Sequence, residues 1–262
     1  MRIPGDMNKP IYRYLAEKEW RSYHRLIIEQ RVRQLALVPD LLPHFEPTAD
    51  VRLAFHRRSV QPGQFVDSRV SEVPARLKIQ VFDKGERLVS VVVIDSDVPD
   101  VEHDNFTFRC HYLAANIPIS PINTSLPLHP VFRGSQIVLP WLPPHAQKGS
   151  PAHRISIFVL QQGPEQKLDV EELKKRLKRE EFSLNRFKDN YDLTPIGVTV
   201  FRSQWDEGTA GVMERAGLPG ADIEFKRKRI PALKPKEKKR GWEARHSGPK
   251  YNWLHKPWLT RK

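Results

Sequence analysis

The stretch Val89-Ser-Val-Val-Val-Ile-Asp-Ser-Asp-Val-Pro99 decides how this chain folds. From Leu88 to Ile94 it is almost continuously apolar, so it reads as a strand buried on both faces rather than one with a wet side. It then ends abruptly in two aspartates and a proline. Just upstream, Leu77, Ile79 and Val81 alternate with Lys78, Gln80 and Phe82, and Asp83-Lys84-Gly85 supplies a turn between the two segments. Downstream, Phe106 to Ala115, Ile137 to Leu139, Ile155 to Leu160 and Ile196 to Phe201 are further short strands separated by turn residues. Many of the 23 prolines fall in those separators. A mainly β protein follows, with the strands stacked as a β-sandwich.

Helical periodicity appears at the margins. Ile11 to Val38 runs from Pro10 to Pro39 without an internal Pro or Gly, and Trp20, Tyr23, Ile27 with Ile28, Val32, Leu35 form two adjoining apolar stripes. This predicts one N-terminal helix whose other side carries Arg13, Arg21, Arg25, Arg31 and Arg33, either a solvated face or a surface for RNA or a neighbouring subunit. Pro39, Pro43 and Pro47 mark a linker. Asp169 with Glu172 is a capping pattern opening a helix with Leu173 and Leu177 on one face and two expected ion pairs, Glu171–Lys175 and Glu172–Arg176. A further helix is predicted from Ser203 to Ala216, stopped by Gly217. The expected organisation is an N-terminal helical extension and linker over 1–50, a β-sandwich domain over 51–221, and a C-terminal tail over 222–262.

Charge separates the tail from the rest. Residues 226–262 hold fourteen Lys or Arg against two acids, a net of +12 in a chain of +13, so residues 1–225 are close to neutral. Three of the six tryptophans, Trp242, Trp253 and Trp258, are interleaved with those charges. Basic side chains attract polyanions by releasing condensed counterions, and aromatic planes stack on unpaired bases. The tail therefore predicts RNA binding through Lys226, Arg227, Lys228, Arg229, Lys234, Lys236, Lys238, Lys239, Arg240, Trp242, Arg245, Lys250, Trp253 and Trp258. The alternative is a solvated basic extension. The single cysteine, Cys110, excludes an internal disulfide and reads as a buried inert thiol. No apolar run approaches the roughly 20 residues of a membrane helix. Asp95, Asp97, His103 and Asp104 lack zinc- or calcium-loop spacing, and there is no nucleophile elbow or phosphate-binding P-loop, so neither catalysis nor a metal or cofactor is expected. His129 and His145 sit in Pro-rich stretches and read as loop residues.

The strongest constellation is Asp95-Ser96-Asp97-Val98-Pro99, then His111 on the next strand, then His153-Arg154 opening another. In order and spacing these resemble the phosphatidylethanolamine-binding protein (PEBP) family, with its D-P-D-A-P motif, its W-H-H-F strand and its later G-x-H-R. Pro143-Pro144, Phe182-Ser183, Tyr191-Asp192-Leu193 and Gln204-Trp205-Asp206 extend the resemblance across about Val51 to Met213. It implies an anion pocket for phosphate-like head groups built from Asp95, Asp97, His111, His153 and Arg154. Departures are equally plain. Arg109 and Cys110 replace the Trp and first His, Ile155 replaces the aromatic after His-Arg, and the G-x-G-P-P loop reads Pro140-Trp141-Leu142-Pro143-Pro144. Glycine admits close backbone approach, Leu142 adds bulk and Pro140 removes an amide donor, so the pocket is expected to be degenerate.

Both extensions, with Phe201 to Asp206 and Gly217 to Asp222, are similar to the PEBP-like large-subunit proteins of fungal mitochondrial ribosomes. That resemblance implies an architectural protein of the mitochondrial matrix. Its partners would be ribosomal RNA and neighbouring mitochondrial ribosomal proteins of the central protuberance, with no membrane and no small-molecule substrate. The competing expectation is a phospholipid- or phosphate-ligand-binding regulator of the same family, which needs an open pocket at Asp95, His111 and His153.

Overall fold

The computed structural model describes residues 5–129, 136–164, 166–226 and 241–242. The chain divides into two units, Met1–Phe225 and Lys226–Lys262. Among the described residues of the first, nine strands form two antiparallel sheets. Strands β1 (Asp50–Phe55), β2 (Arg58–Val60), β3 (Arg76–Gln80) and β6 (Ser125–Pro127) make a four-stranded sheet in the order β2-β1-β3-β6. Strands β4 (Arg87–Asp100), β5 (Asn105–Ile119), β7 (Ile137–Leu139), β8 (His153–Gln161) and β9 (Thr194–Ser203) make a five-stranded sheet in the order β7-β5-β4-β8-β9.

The apolar run of β4 is buried on both sides because its sheet is the middle of three layers. Val89, Val91 and Val93 face the four-stranded sheet and pack with Leu53, Leu77 and Ile79. Val92 and Ile94 face the other way, into a second core roofed by Ile28, Val32, Leu42, Leu173, Leu184 and Phe187. The two sheets approach so closely that a Cβ on Gly197 of β9 would lie 2.4 Å from Val51 Cγ2, which only glycine avoids.

The predicted N-terminal helix is broken into α1 (Pro10–Ser22), α2 (His24–Gln34) and a short turn α3 (Leu37–Asp40), with Tyr23 leaving helical geometry at φ −139° and ψ −63°. The break corrects the reading of one continuous helix, and packing explains it. Trp20 is buried against Phe82 beyond the four-stranded sheet (ring centroids 5.2 Å apart), while Ile28 and Val32 join the second core. The two stripes serve different surfaces, and each buried aliphatic side chain contributes about 1.5–3 kcal/mol. A four-residue turn, α4 (Ser68–Ser71), precedes β3.

Asp169 caps α5 (Val170–Arg176), accepting from the amides of Glu171 and Glu172 at 2.9 and 3.3 Å. The Glu172–Arg176 pair forms at 3.0 Å, but Glu171 takes Lys174 at 2.8 Å instead of Lys175. Ser183 caps α6 (Leu184–Asn190). The helix expected from Ser203 is only α7 (Thr209–Arg215). Ser203 still belongs to β9, and Asp206 is committed to a turn, accepting from Ser68 N and Oγ at 2.7 and 2.6 Å and from Gly208 N at 2.9 Å. Gly217, at φ +67°, ends α7.

Candidate functional site

Three loops and the ends of three strands converge beyond Ile94. Asp95 on β4 is 1% exposed. His153, opening β8, donates from Nδ1 to Asp95 Oδ2 at 2.7 Å, and its Nε2 lies 3.3 Å from Ser150 Oγ. His111 on β5 is fully buried, with Nε2 3.7 Å from the same Asp95 oxygen, too long for a hydrogen bond. Its Nδ1 donates to Leu142 O at 2.9 Å. Burial alone pushes the Asp95 carboxyl up. The charge of His153 and the contacts with both imidazoles outweigh it, and the carboxyl sits well below the ordinary range.

Asp97 and Arg154 belong to a different assembly. Arg154 holds Asp97 through Nε and Nη2 at 2.9 and 2.8 Å, while its backbone N–H donates to Asp97 Oδ2 at 2.8 Å. Its Nη1 then reaches Leu35 O at 2.6 Å and Asp40 Oδ2 at 2.9 Å. The guanidinium thereby fastens the end of the N-terminal helices to the central sheet. Of the five residues predicted to share a pocket, the structure brings Asp95, His111 and His153 together and turns Asp97 and Arg154 towards the extension.

Beside the triad lies a cavity of about 350 Å³ lined by His153 together with Arg109, Leu142, His145, Arg179 and Leu218, among others. Arg109 and Arg179 supply two guanidinium groups. Arg109 Nη1 is 3.3 Å from His145 Nε2, and its Nη2 is 3.9 Å from Glu180. Arg179 donates to the carbonyls of Cys110, His111 and Pro140 at 3.3, 3.2 and 2.8 Å, tying the loop after β7 to β5. His145 is in a loop, as its Pro-rich setting suggests, but only 7% exposed. Burial pushes its pKa down to about 4, so the ring is neutral near pH 7. Burial likewise pushes the Cys110 thiol up to about 12. Nothing in the residue pattern marks Arg179, which lies in a charge run after α5. Arg109 was visible only as a departure from the family strand.

The loop 140–144 donates little to this cavity. Among its five residues only Trp141 and Leu142 carry an N–H. That of Leu142 is used on His111 O at 2.8 Å, and the Trp141 indole donates to Ser71 O at 3.1 Å. Segment 217–225 crosses the mouth. Leu218 and Pro219 line it, Gly220 O accepts from Gln147 Nε2 at 3.3 Å, and Phe225 N donates to Lys148 O at 2.8 Å. No group of three or more His, Cys, Asp or Glu side chains suited to a metal occurs among the described residues.

Of the tail residues predicted to bind RNA, Lys226 and Trp242 fall within the described residues, with Trp242 73% exposed. Arg227, Lys228, Arg229, Lys234, Lys236, Lys238, Lys239, Arg240, Arg245, Lys250, Trp253 and Trp258 lie outside them.

The sandwich, the Asp95–His111–His153 cluster and the flanking cavity define a class that the family comparison states directly. The model of the phosphatidylethanolamine-binding protein family matches residues 56–201, more than half of the sequence, and the chain belongs to that family. One relative is the large ribosomal subunit protein mL38 of Schizosaccharomyces pombe, 29% identical over 236 residues, covering 87% of this chain and 72% of the relative. Among solved structures, a carboxypeptidase Y inhibitor complexed with its cognate proteinase superposes with a TM-score of 0.51 at 11% identity. It covers 68% of this chain and 94% of the inhibitor chain, a likeness of fold alone.

Proposed function

We propose that this chain is a structural protein of the large subunit of the mitochondrial ribosome. Its PEBP-like body would serve as a packing block, and its two extensions would hold ribosomal RNA and neighbouring proteins. The observation that carries this reading is the extent of the likeness to mL38. It leaves 13% of the chain uncovered, which is fewer residues than lie either before residue 56 or after residue 201, so it includes part of both extensions. A shared family domain alone would not reach that far. The clamp of Arg154 on Leu35 O and Asp40 supports the same reading, since a residue of the family motif is spent on fastening the N-terminal extension. We place the protein in the mitochondrial matrix, at the central protuberance, with the tail's Lys and Arg on phosphates and its tryptophans on bases or in protein pockets.

A second reading keeps one specific support. The cavity beside His153 is open enough for a small anion and is flanked by Arg109 and Arg179. Against it stand the loop's scarcity of amide donors, with the Leu142 N–H already used on His111 O, and the carbonyl partners that occupy Arg179. A truncated chain ending at Phe225 separates the two. On the ribosomal reading it stays folded by circular dichroism but no longer sediments with the large subunit. Unfolding on truncation, or undiminished sedimentation, would count against the assignment of binding to the tail. Tight capture of a phosphorylated head group by the truncated body would favour the second reading.

A further inference from the structure

Many of the described basic side chains of the first unit are engaged. In α1 and α2, Arg21 pairs with Glu17, Arg25 with Glu29 and Arg31 with Gln34, while Arg13 donates to the carbonyls of Met7 and Asn8. Lys174 and Arg176 of α5 and the clamp of Arg154 likewise meet carboxylates.

The outward face of the four-stranded sheet departs from this pattern. Strand alternation turns Leu53, Leu77, Ile79 and Leu126 into the core and leaves Arg52, Arg76 and Lys78 outward and exposed. The register sets Arg52 directly opposite Lys78 and Ala54 opposite Arg76, so three cations sit as immediate and diagonal neighbours. The hairpin between β1 and β2 adds exposed Arg57 and Arg58 at the sheet's edge. Two acids border the row: Asp50, taken by Arg52 Nε at 2.7 Å, and Glu19 of α1, which lines a shared cleft with Arg52 and Lys78. Arg57, Arg58, Arg76 and Lys78 have no carboxylate within ion-pair distance among the described residues. Like charges facing one another across a strand pair destabilise a sheet, so the isolated fold gains nothing from this arrangement.

We propose that this face docks the phosphate backbone of an RNA duplex. The proposal rests on the ribosomal reading above and adds a second RNA surface, remote in sequence from the tail. Charge complementarity selects a polyanion. The outward positions Ala54, Ser59, Gln80 and Ser125 offer no aromatic platform on which an unpaired base could stack, and Phe55 and Phe82 are buried. They also offer no long aliphatic or aromatic anchor of the kind that carries protein–protein affinity. Arg76 and Lys78 are spaced about 7 Å apart along β3, a rise per residue of about 3.4 Å, which suits contact with successive phosphates.

The test uses the full chain and a short RNA duplex titrated with potassium chloride. The triple variant Arg58→Ala, Arg76→Ala, Lys78→Ala is compared with a triple of equal charge change on α5, Lys174→Ala, Lys175→Ala, Arg176→Ala. The sheet variant should bind more weakly, with the slope of log Kobs against log salt reduced by about 2–3, since each neutralised phosphate contributes about 0.9. Its melting temperature should be unchanged or raised, while the α5 variant keeps the native slope. Equal loss in both variants would reduce the effect to net charge and overturn the site, as would a native slope in the sheet variant. A sheet variant with native RNA binding that nonetheless leaves the ribosomal particle would assign the face to an acidic protein instead. If the native chain never sediments with a large subunit yet the sheet variant alone loses duplex binding, the ribosomal reading fails and the surface stands.

Discussion

Asp95 and Asp97 are separated by one residue on β4, yet Asp95 is buried against two imidazoles while Asp97 forms a forked pair with Arg154 near the ends of β4 and β8. Plain strand alternation would give residues two apart the same face. The pairing of β4 with β5 shifts register between Asp95 and Val98, and Asp97 N donates to Asp95 Oδ1 at 3.0 Å in a local turn. Such irregularities re-aim side chains. One motif thereby serves two ends, a buried carboxylate–imidazole cluster on one side and a fastening for the N-terminal helices on the other.

Breaking the core half should cost most. Asp95→Ala strands two imidazoles without their carboxylate and should lower the unfolding free energy by about 3–5 kcal/mol in a denaturant titration. A cost below about 1 kcal/mol would show that the cluster does not hold the fold together. Next comes the fastening. Arg154→Met should cost about 2 kcal/mol, discounted because both partners are partly exposed, and should speed amide exchange across α2 and α3. Unchanged exchange there would mean that Ile28, Val32 and Leu42 secure the extension by themselves.

His145 sharpens the comparison through pH. Burial lowers its pKa to about 4, so as pH falls below 6.5 the unfolded chain takes up a proton that the folded chain refuses. Stability is therefore lost between about pH 6.5 and 4, on the order of 2 kcal/mol by pH 5. His145→Gln should flatten that part of the profile, measured as unfolding at pH 7 and pH 5. The smallest effect sets the scale for an exposed pair: Arg176→Ala should cost about 0.2–0.5 kcal/mol.

The fold was legible because β4 announces itself. A nearly unbroken apolar run can only be the middle of a layered structure, and the alternation of Leu77 and Ile79 with Lys78 marks a half-wet sheet beside it. The site was half legible. The resemblance to the family's motifs pointed to Asp95, His111 and His153, but nothing in the spacing revealed the register shift that sends Asp97 and Arg154 elsewhere. Arg179 reaches the cavity from a loop about 70 residues beyond Cys110 and His111, whose carbonyls it holds. Only the tertiary fold makes that contact. The break at Tyr23 was equally hidden, since helical periodicity continues through it and the buried surfaces that demand it lie on different layers.

The most direct test of an architectural ribosomal role is density-gradient fractionation of native lysate in high-salt buffer, with and without RNase, following this protein by immunoblot. Migration with a large ribosomal particle, lost after RNase, is the expected result. Slow sedimentation as a free monomer in both samples, repeated at low salt, would contradict it.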